Sequence, residues 1–143
     1  MLSTRSYRRR CAFFDVDGTL LRGFIIQEFL KYLKQQGVID FQYPDLIDQV
    51  ISNYFSGEIT YREASEIVPT LYALSITGLK RRTIKIHAKM FMDRYVPERL
   101  YLNAKRLVCG VKRLVDLTIA VSGSPEDIVK EVKNLGFDKV YGS

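Results

Sequence analysis

Two short apolar runs, far apart in the chain, constrain its fold more than any other feature. The first, Cys11-Ala12-Phe13-Phe14-Asp15-Val16, leads into Asp17-Gly18-Thr19; the second, Leu117-Thr118-Ile119-Ala120-Val121, leads into Ser122-Gly123-Ser124-Pro125-Glu126-Asp127. Runs this short, nearly all apolar and closed by turn residues, read as strands buried on both faces of a parallel sheet. After the second run, Ser124 is suited to cap a helix, Pro125 to its first position, and Glu126 and Asp127 to its positive end. That helix is expected to reach about Leu135 and stop at Gly136, with Phe137 to Tyr141 as a third short strand. Strand, helix and strand in this order make a parallel α/β unit.

Between the first two strands the pattern is helical throughout. Ile25, Ile26, Phe29, Leu30, Tyr32 and Leu33 share one face, and Gly37 ends that helix. A second helix follows Pro44, with Leu46, Ile47, Val50, Ile51, Tyr54 and Phe55 in phase before Gly57. Thr60 to Leu74 is a third, which Pro69 is expected to kink or end. Leu79 to Tyr95 is a fourth, and Pro97 is expected to open a fifth that carries Leu100, Ala104, Leu107, Val108, Val111, Leu114 and Val115 through Gly110. The expected layout is a basic tail at 1–9, an α/β core from 10–23 and 116–143, and a helical insertion at 24–115.

Composition fits a folded chain, with 47% apolar and 27% charged residues among 143. No apolar run approaches the ~20 residues of a membrane span, and residues 1–10 offer no apolar stretch for a secretory signal, so the expected location is the cytoplasm. Cys11 and Cys109 match no metal-ligand spacing and are expected as reduced, buried thiols. The net charge of +6 is unevenly spread: the first ten residues hold four arginines and no acid, and residues 80–113 hold eleven Lys or Arg against Asp93 and Glu98. Such a block can mark a nucleic-acid surface. The solvated face of a helix is the favoured reading here, and the lone His87 within it is read as surface.

Asp15 and Asp17, two apart at the carboxyl end of a strand, point to the same side while the backbone stays extended, into the crevice where open α/β sheets bind ligands. Neighbouring carboxylates repel unless a cation, a proton or backbone donors stabilise them. A divalent oxygen-preferring ion such as Mg²⁺ is the natural partner. Gly18 permits a sharp turn and Thr19 adds a hydroxyl, so the loop could present N–H groups to an anion. The plainer alternative is that the two acids cap the next element.

Phe14-Asp15-Val16-Asp17-Gly18-Thr19-Leu20 resembles the first motif of the haloacid dehalogenase-like phosphohydrolases, and Ile119-Ala120-Val121-Ser122-Gly123-Ser124-Pro125 resembles the second. A helical insertion between them is similar to the type 1 cap of the phosphoserine-phosphatase-like branch. The resemblance implies a Rossmann-like parallel α/β core with an all-helical cap inserted after its first strand. It implies that Asp15 is the nucleophile that forms an aspartyl-phosphate and that Asp17 is the general acid and base. Mg²⁺ would be held by Asp15 and the backbone carbonyl of Asp17, while Ser122 and the N–H of Gly123 would hold a phosphate oxygen, beside the Gly18 and Thr19 turn. The acid at Asp17 implies phosphoester hydrolysis or phosphotransfer of a small phosphorylated metabolite, because family members that act on carbon lack it.

This sequence also departs from the pattern. By ungapped alignment Phe24 stands where phosphoserine phosphatases carry a Glu, and Glu66 where they carry an Arg; Arg22 and Arg62 lie near those positions. Lys130, Lys133 and Lys139 come too early for the third motif, and no Gly-Asp with a further Asp follows before Ser143. The expectation is therefore the front part of a longer enzyme, with the core incomplete. The competing reading is a catalytically inactive remnant that serves as a binding module, needs a partner chain, or self-associates through exposed apolar edges. A third reading, in which Arg5 to Arg10 and the 80–113 block bind an anionic polymer, would show steep salt dependence.

Overall fold

A computed structural model describes residues 9–40 and 42–143, so the expected tail at 1–9, Arg5 and Arg8 included, lies almost wholly outside the described residues. The elements run β1 (Cys11–Asp15), α1 (Ile25–Gln35), α2 (Gln42–Ser56), α3 (Tyr61–Ser75), α4 (Arg81–Arg99), α5 (Ala104–Lys112), β2 (Leu117–Val121), α6 (Glu126–Val129), a 3-10 stretch (Lys130–Leu135) and β3 (Lys139–Tyr141). The three strands form one parallel sheet in the order β1-β2-β3. This is the α/β, Rossmann-like arrangement that the two apolar runs and their intervening helices imply.

Register explains how the sheet is covered. Phe14, Ala120 and Val140 stand side by side, and this row faces the core, where the Phe14 ring meets Phe137 edge-on at 5.4 Å. The adjacent row carries Asp15, Val121 and Tyr141, and with Cys11 and Phe13 it faces outward. Phe13 is 68% exposed and Tyr141 49% exposed, so β1 is not buried on both faces as its composition suggests. Alternation along β1 follows from the two-residue period of the strand. Both cysteines are exposed, contrary to expectation. Cys11 belongs to the open row, and Cys109 follows buried Val108 on α5, about 100° further round the helix.

The core runs from Val16, Leu20 and Leu21 through Ile25, Phe29, Leu30 and Leu33 of α1 to Ile84, Ala88 and Met92 of α4. Each fully buried aliphatic or aromatic side chain contributes about 1.5–3 kcal/mol. Helix α1 buries the face its spacing predicts. In α2 only Pro44 and Ile47 are buried; Ile51 and Tyr54 line a cavity, and Phe55 is 71% exposed. Helix α3 starts on a reciprocal cap: the Glu63 amide donates to Thr60 Oγ1 at 3.3 Å while the Thr60 amide donates to Glu63 Oε2 at 2.7 Å. That amide is the main reason the Glu63 carboxyl lies below its ordinary value.

Neither helical proline breaks its helix. Helix α3 continues past Pro69 to Ser75, and α4 continues through Pro97 to Arg99. The carbonyls deprived of a donor are those of Ser65 and Asp93, both exposed residues. Pro97 thus lies within the last turn of α4 instead of opening the next helix. Leu100 is extended and pairs with Leu21 in an antiparallel bridge, α5 starts at Ala104 with Gly110 inside it, and Leu107 and Leu114 are exposed. The helix after β2 is only one α turn, tightening to 3-10 until Gly136 stops it at φ 111°. His87 is half-buried, its Nδ1 3.2 Å from the Tyr32 hydroxyl, so it packs inward from the basic helix.

Ion pairs join the basic helices to acids elsewhere. Arg81 of α4 grips Asp127 of α6 through two nitrogens at 2.7 and 3.0 Å, and Lys112 of α5 reaches Asp138 at 2.8 Å. Asp138 also accepts from the amide and hydroxyl of Thr118, both at 2.8 Å. The Lys112 ammonium and then the two Thr118 donors hold the Asp138 carboxyl well below its ordinary range.

Candidate active site

Strand β1 ends at Asp15, and the chain then turns back on itself around the carbonyl of buried Val16. That carbonyl accepts from the amides of Thr19, Leu20 and Leu21 at 3.3, 3.0 and 3.0 Å. Gly18 closes the turn at φ 72°, a conformation that costs a side-chain-bearing residue about 1–2 kcal/mol, and its amide donates to Leu21 at 2.8 Å. The amides of Gly18 and Thr19 are therefore engaged within the turn. The Thr19 hydroxyl donates to Asp15 Oδ2 at 2.6 Å, which orients the Asp15 carboxylate and leaves its other oxygen without a hydrogen bond among the described residues.

Asp17 is held far more firmly. Its Oδ1 accepts from the Ile25 amide at 2.7 Å, at the start of α1, and its Oδ2 accepts from Ser122 Oγ at 2.5 Å and Ser124 Oγ at 3.1 Å. Ser122 Oγ in turn accepts from the Ser124 amide at 2.9 Å. Buried Ser122 thus lies beneath Asp17, at the end of β2, with its proton already donated. The Ser124 hydroxyl, expected to cap the following helix, serves Asp17 instead, and Pro125 takes the N-cap position without a side-chain bond. Reading Ser124 as a cap misses this role; the alternating Ser-Gly-Ser at a strand end is the signal that carries it.

Further contacts brace the turn. Tyr95 of α4 donates its hydroxyl to the Arg22 carbonyl at 2.9 Å, and the amides of Arg22 and Tyr101 bond Arg99 and Leu20 at 2.9 and 3.0 Å. Burial, and secondarily the charges of Asp17 and Glu28, push the Tyr95 hydroxyl up to about 12, so it remains a donor at any ordinary pH. Below the site, the 142–143 backbone seals the Ser122 loop: the Ser143 amide donates to the Ser124 carbonyl at 3.1 Å and the Ser143 hydroxyl to that of Gly123 at 2.8 Å.

Asp15, Asp17, Gly123 and Ser124 line one cavity of about 370 Å³, roofed by α2 and α3. Gly18, Thr19 and Ser122 are not among its walls. Phe24 lines it, whereas Glu66 is exposed and paired with Arg62 at 3.3 Å. Arg22 turns away, donating to the Glu98 carbonyl at 2.9 Å. Among the described residues no three His, Cys, Asp or Glu side chains converge on a common point as a metal site would require. The donors fit a hard cation in kind but only in part in number. Asp15 keeps one free carboxylate oxygen, and the Asp17 carbonyl accepts none of the turn's hydrogen bonds, while both Asp17 carboxylate oxygens are engaged.

Fold and site together define a parallel α/β chain with paired aspartates just after its first strand. Residues 12–143 match the family model for haloacid dehalogenase-like hydrolases, and the chain belongs to that family. Among solved structures, a protein of unknown function from Bordetella pertussis superposes with a TM-score of 0.72 at 21% identity, over 94% of this chain and 60% of that one. A phosphoserine phosphohydrolase-like protein from Francisella tularensis gives 0.63 at 17%, over 94% and 58%. A phospho-aspartyl intermediate analogue of phosphoserine phosphatase gives 0.59 at 17%, over 94% and 56%. The chain therefore spans somewhat more than half the length of these structures. No curated protein sequence matches it. No helix among the described residues is long and apolar enough to cross a membrane.

Proposed function

We propose that this chain carries the nucleophile and the acid/base of a phosphomonoester hydrolase. The observation that supports the reading most is the contrast between two carboxylates on one cavity: Asp15 with an oxygen free, and Asp17 held by three donors. A free, oriented carboxylate suits attack on phosphorus; Asp17, fixed in place by its donors, gives or takes a proton at the ester oxygen when one of them lets go. In the first step a bond forms between Asp15 and phosphorus as the ester oxygen leaves, and Asp17 gives that oxygen a proton. In the second, Asp17 takes a proton from the water that releases phosphate from Asp15. Mg²⁺, which Asp15 and the Asp17 carbonyl would hold in part, supplies charge neutralisation between carboxylate and phosphoryl group.

The insertion at 24–115, α1 to α3 above all, serves in this reading as the cap that closes over the substrate, and the cytoplasm supplies that substrate. Ser122 acts chiefly through Asp17, with the Gly123 amide left for a phosphate oxygen. Steady-state hydrolysis of a generic phosphomonoester with millimolar Mg²⁺, lost in Asp15→Asn, is the expected result; undiminished turnover in that variant removes the assignment.

The outward row of the sheet favours a second reading. Phe13 at 68% exposure, on the same face of the sheet as half-exposed Val121 and Tyr141, is an apolar surface on a chain that spans 60% of a structural relative, as a module completed by further polypeptide or by a second copy would show. Sedimentation velocity of the purified 143 residues is expected to show concentration-dependent association that Phe13→Ser weakens, with no turnover. A monodisperse monomer that hydrolyses phosphomonoesters rejects this reading.

A further inference from the structure

The walls of the cavity above Asp15 and Asp17 carry no charge of their own. Phe24 from the start of α1, Ile51 and Tyr54 from α2, and Tyr61 and Val68 from α3 surround it, and among the described residues no Lys or Arg lines it. The two arginines nearest in sequence are committed elsewhere, Arg22 to the Glu98 carbonyl and the Tyr101 ring at 5.9 Å, and Arg62 to Glu66. Aromatic rings cluster on one side: Tyr54 lies 6.1 Å from Tyr61 and 5.3 Å from Phe55, which lies 6.3 Å from Phe24. A leaving group carrying a second carboxylate would meet a wall with no Lys or Arg to pair its charge. An uncharged ring would meet several others at stacking or edge distance.

We infer that the substrate is the phosphate monoester of an uncharged aromatic or bulky apolar alcohol, with Phe24, Tyr54 and Tyr61 as the residues that select it. The inference rests on the phosphatase reading for the phosphate end alone, since the apolar wall is independent of what Asp15 does. A volume of about 370 Å³ is at the small end of ligand sites, commonly ~300–1,000 Å³, and admits a fused bicyclic ring beside a phosphate. Phosphoserine, the compound in the name of a structural relative, is the substrate class this wall excludes.

The probes are 1-naphthyl phosphate, O-phospho-L-serine, inorganic phosphate and 1-naphthol, followed by hydrolysis and by calorimetric binding with the intact protein in Mg²⁺. Naphthyl phosphate is expected to exceed phosphoserine by at least about tenfold in kcat/KM and in affinity, the scale of one well-filled apolar pocket. Phe24→Ala is expected to lower that preference about fivefold or more, read as the ratio of the two esters' kcat/KM and of their Kd values. Because Phe24 also packs against other rings, Tyr61→Lys serves as a second variant on an exposed position, expected to shift the preference toward phosphoserine. Equal use of the two esters, or equal losses for both in each variant, overturns the inference while leaving the phosphatase reading standing. Discriminating binding without hydrolysis of either ester overturns the phosphatase reading and supports the ligand class. Failure of every probe to bind overturns the inference.

Discussion

Ser122 Oγ donates to Asp17 Oδ2 at 2.5 Å, joining the end of β2 to the turn after β1 across 105 residues of sequence. All the helices of the insertion lie between these partners, so one hydrogen bond reports whether the chain has closed around its site. Removing a donor from a carboxylate costs about 1.5–3 kcal/mol. Ser122→Ala is expected to lose that much in urea unfolding, and Ser124→Ala less, since its bond is longer at 3.1 Å. Equal stability of Ser122→Ala and wild type would contradict the bond's role.

The Arg81 pair gives a pH signature. Arg81, followed by Lys130, holds the Asp127 carboxyl down to about 2, against an unfolded value of ~3.9. A carboxyl lowered on folding contributes stability that is full above the unfolded value and disappears as pH falls through the folded one. The stability gap between wild type and Asp127→Asn is therefore expected to be constant from pH 7 to about 5 and to shrink from about 4 toward 2. Chemical denaturation at intervals of one pH unit measures it, and a gap that widens on acidification would contradict the pairing.

Gly142 is required for close approach rather than for an unusual φ. A Cβ there would come within 2.5 Å of the Glu126 Cα and 2.7 Å of the Ser124 carbonyl, both backbone atoms that cannot swing aside. Gly142→Ala is expected to cost at least about 1–3 kcal/mol and to shift the loop that carries Ser122 and Ser124. Unchanged thermal unfolding, together with unchanged amide chemical shifts at Gly123 and Ser124, would show that the backbones are not so tightly packed.

Tyr95 braces the turn that carries Asp17 through the Arg22 carbonyl. Tyr95→Phe is expected to cost about 0.5–1.5 kcal/mol and to speed amide exchange of Leu20 and Leu21. Exchange rates unaltered in the turn would show that the ring packs without bracing it.

Much of this was legible in the sequence because strong local signals coincided with the outcome. The apolar runs at Cys11 and Leu117, the 3.6-residue spacing of α1, and Gly136 as a stop all act within a few residues, and all appear where expected. Asp15 and Asp17 do line one cavity, because a two-residue step at a strand end fixes their side. What the sequence concealed depends on distant partners. Whether β1 is covered on its Phe13 face depends on what packs there, not on β1. Pro97 sits inside α4, where local pattern alone places it at the start of the next helix. From the basic 80–113 block Arg99, Arg81 and Lys112 find Glu28, Asp127 and Asp138 across the fold, and so part of a charge segregated along the chain becomes paired in space. Ser124 looked like a cap because capping is local, and the competing acceptor, Asp17, is 107 residues away.

The central claim is that Asp15 attacks phosphorus. Rapid acid quenching of the protein during turnover of an aryl phosphate, followed by peptide mass spectrometry, tests it most directly. The expected result is one phosphoryl group on the peptide holding Asp15, absent in Asp15→Asn and accumulating when Asp17→Asn slows its release. Turnover with Asp15 unmodified, or persisting in Asp15→Asn, would contradict it.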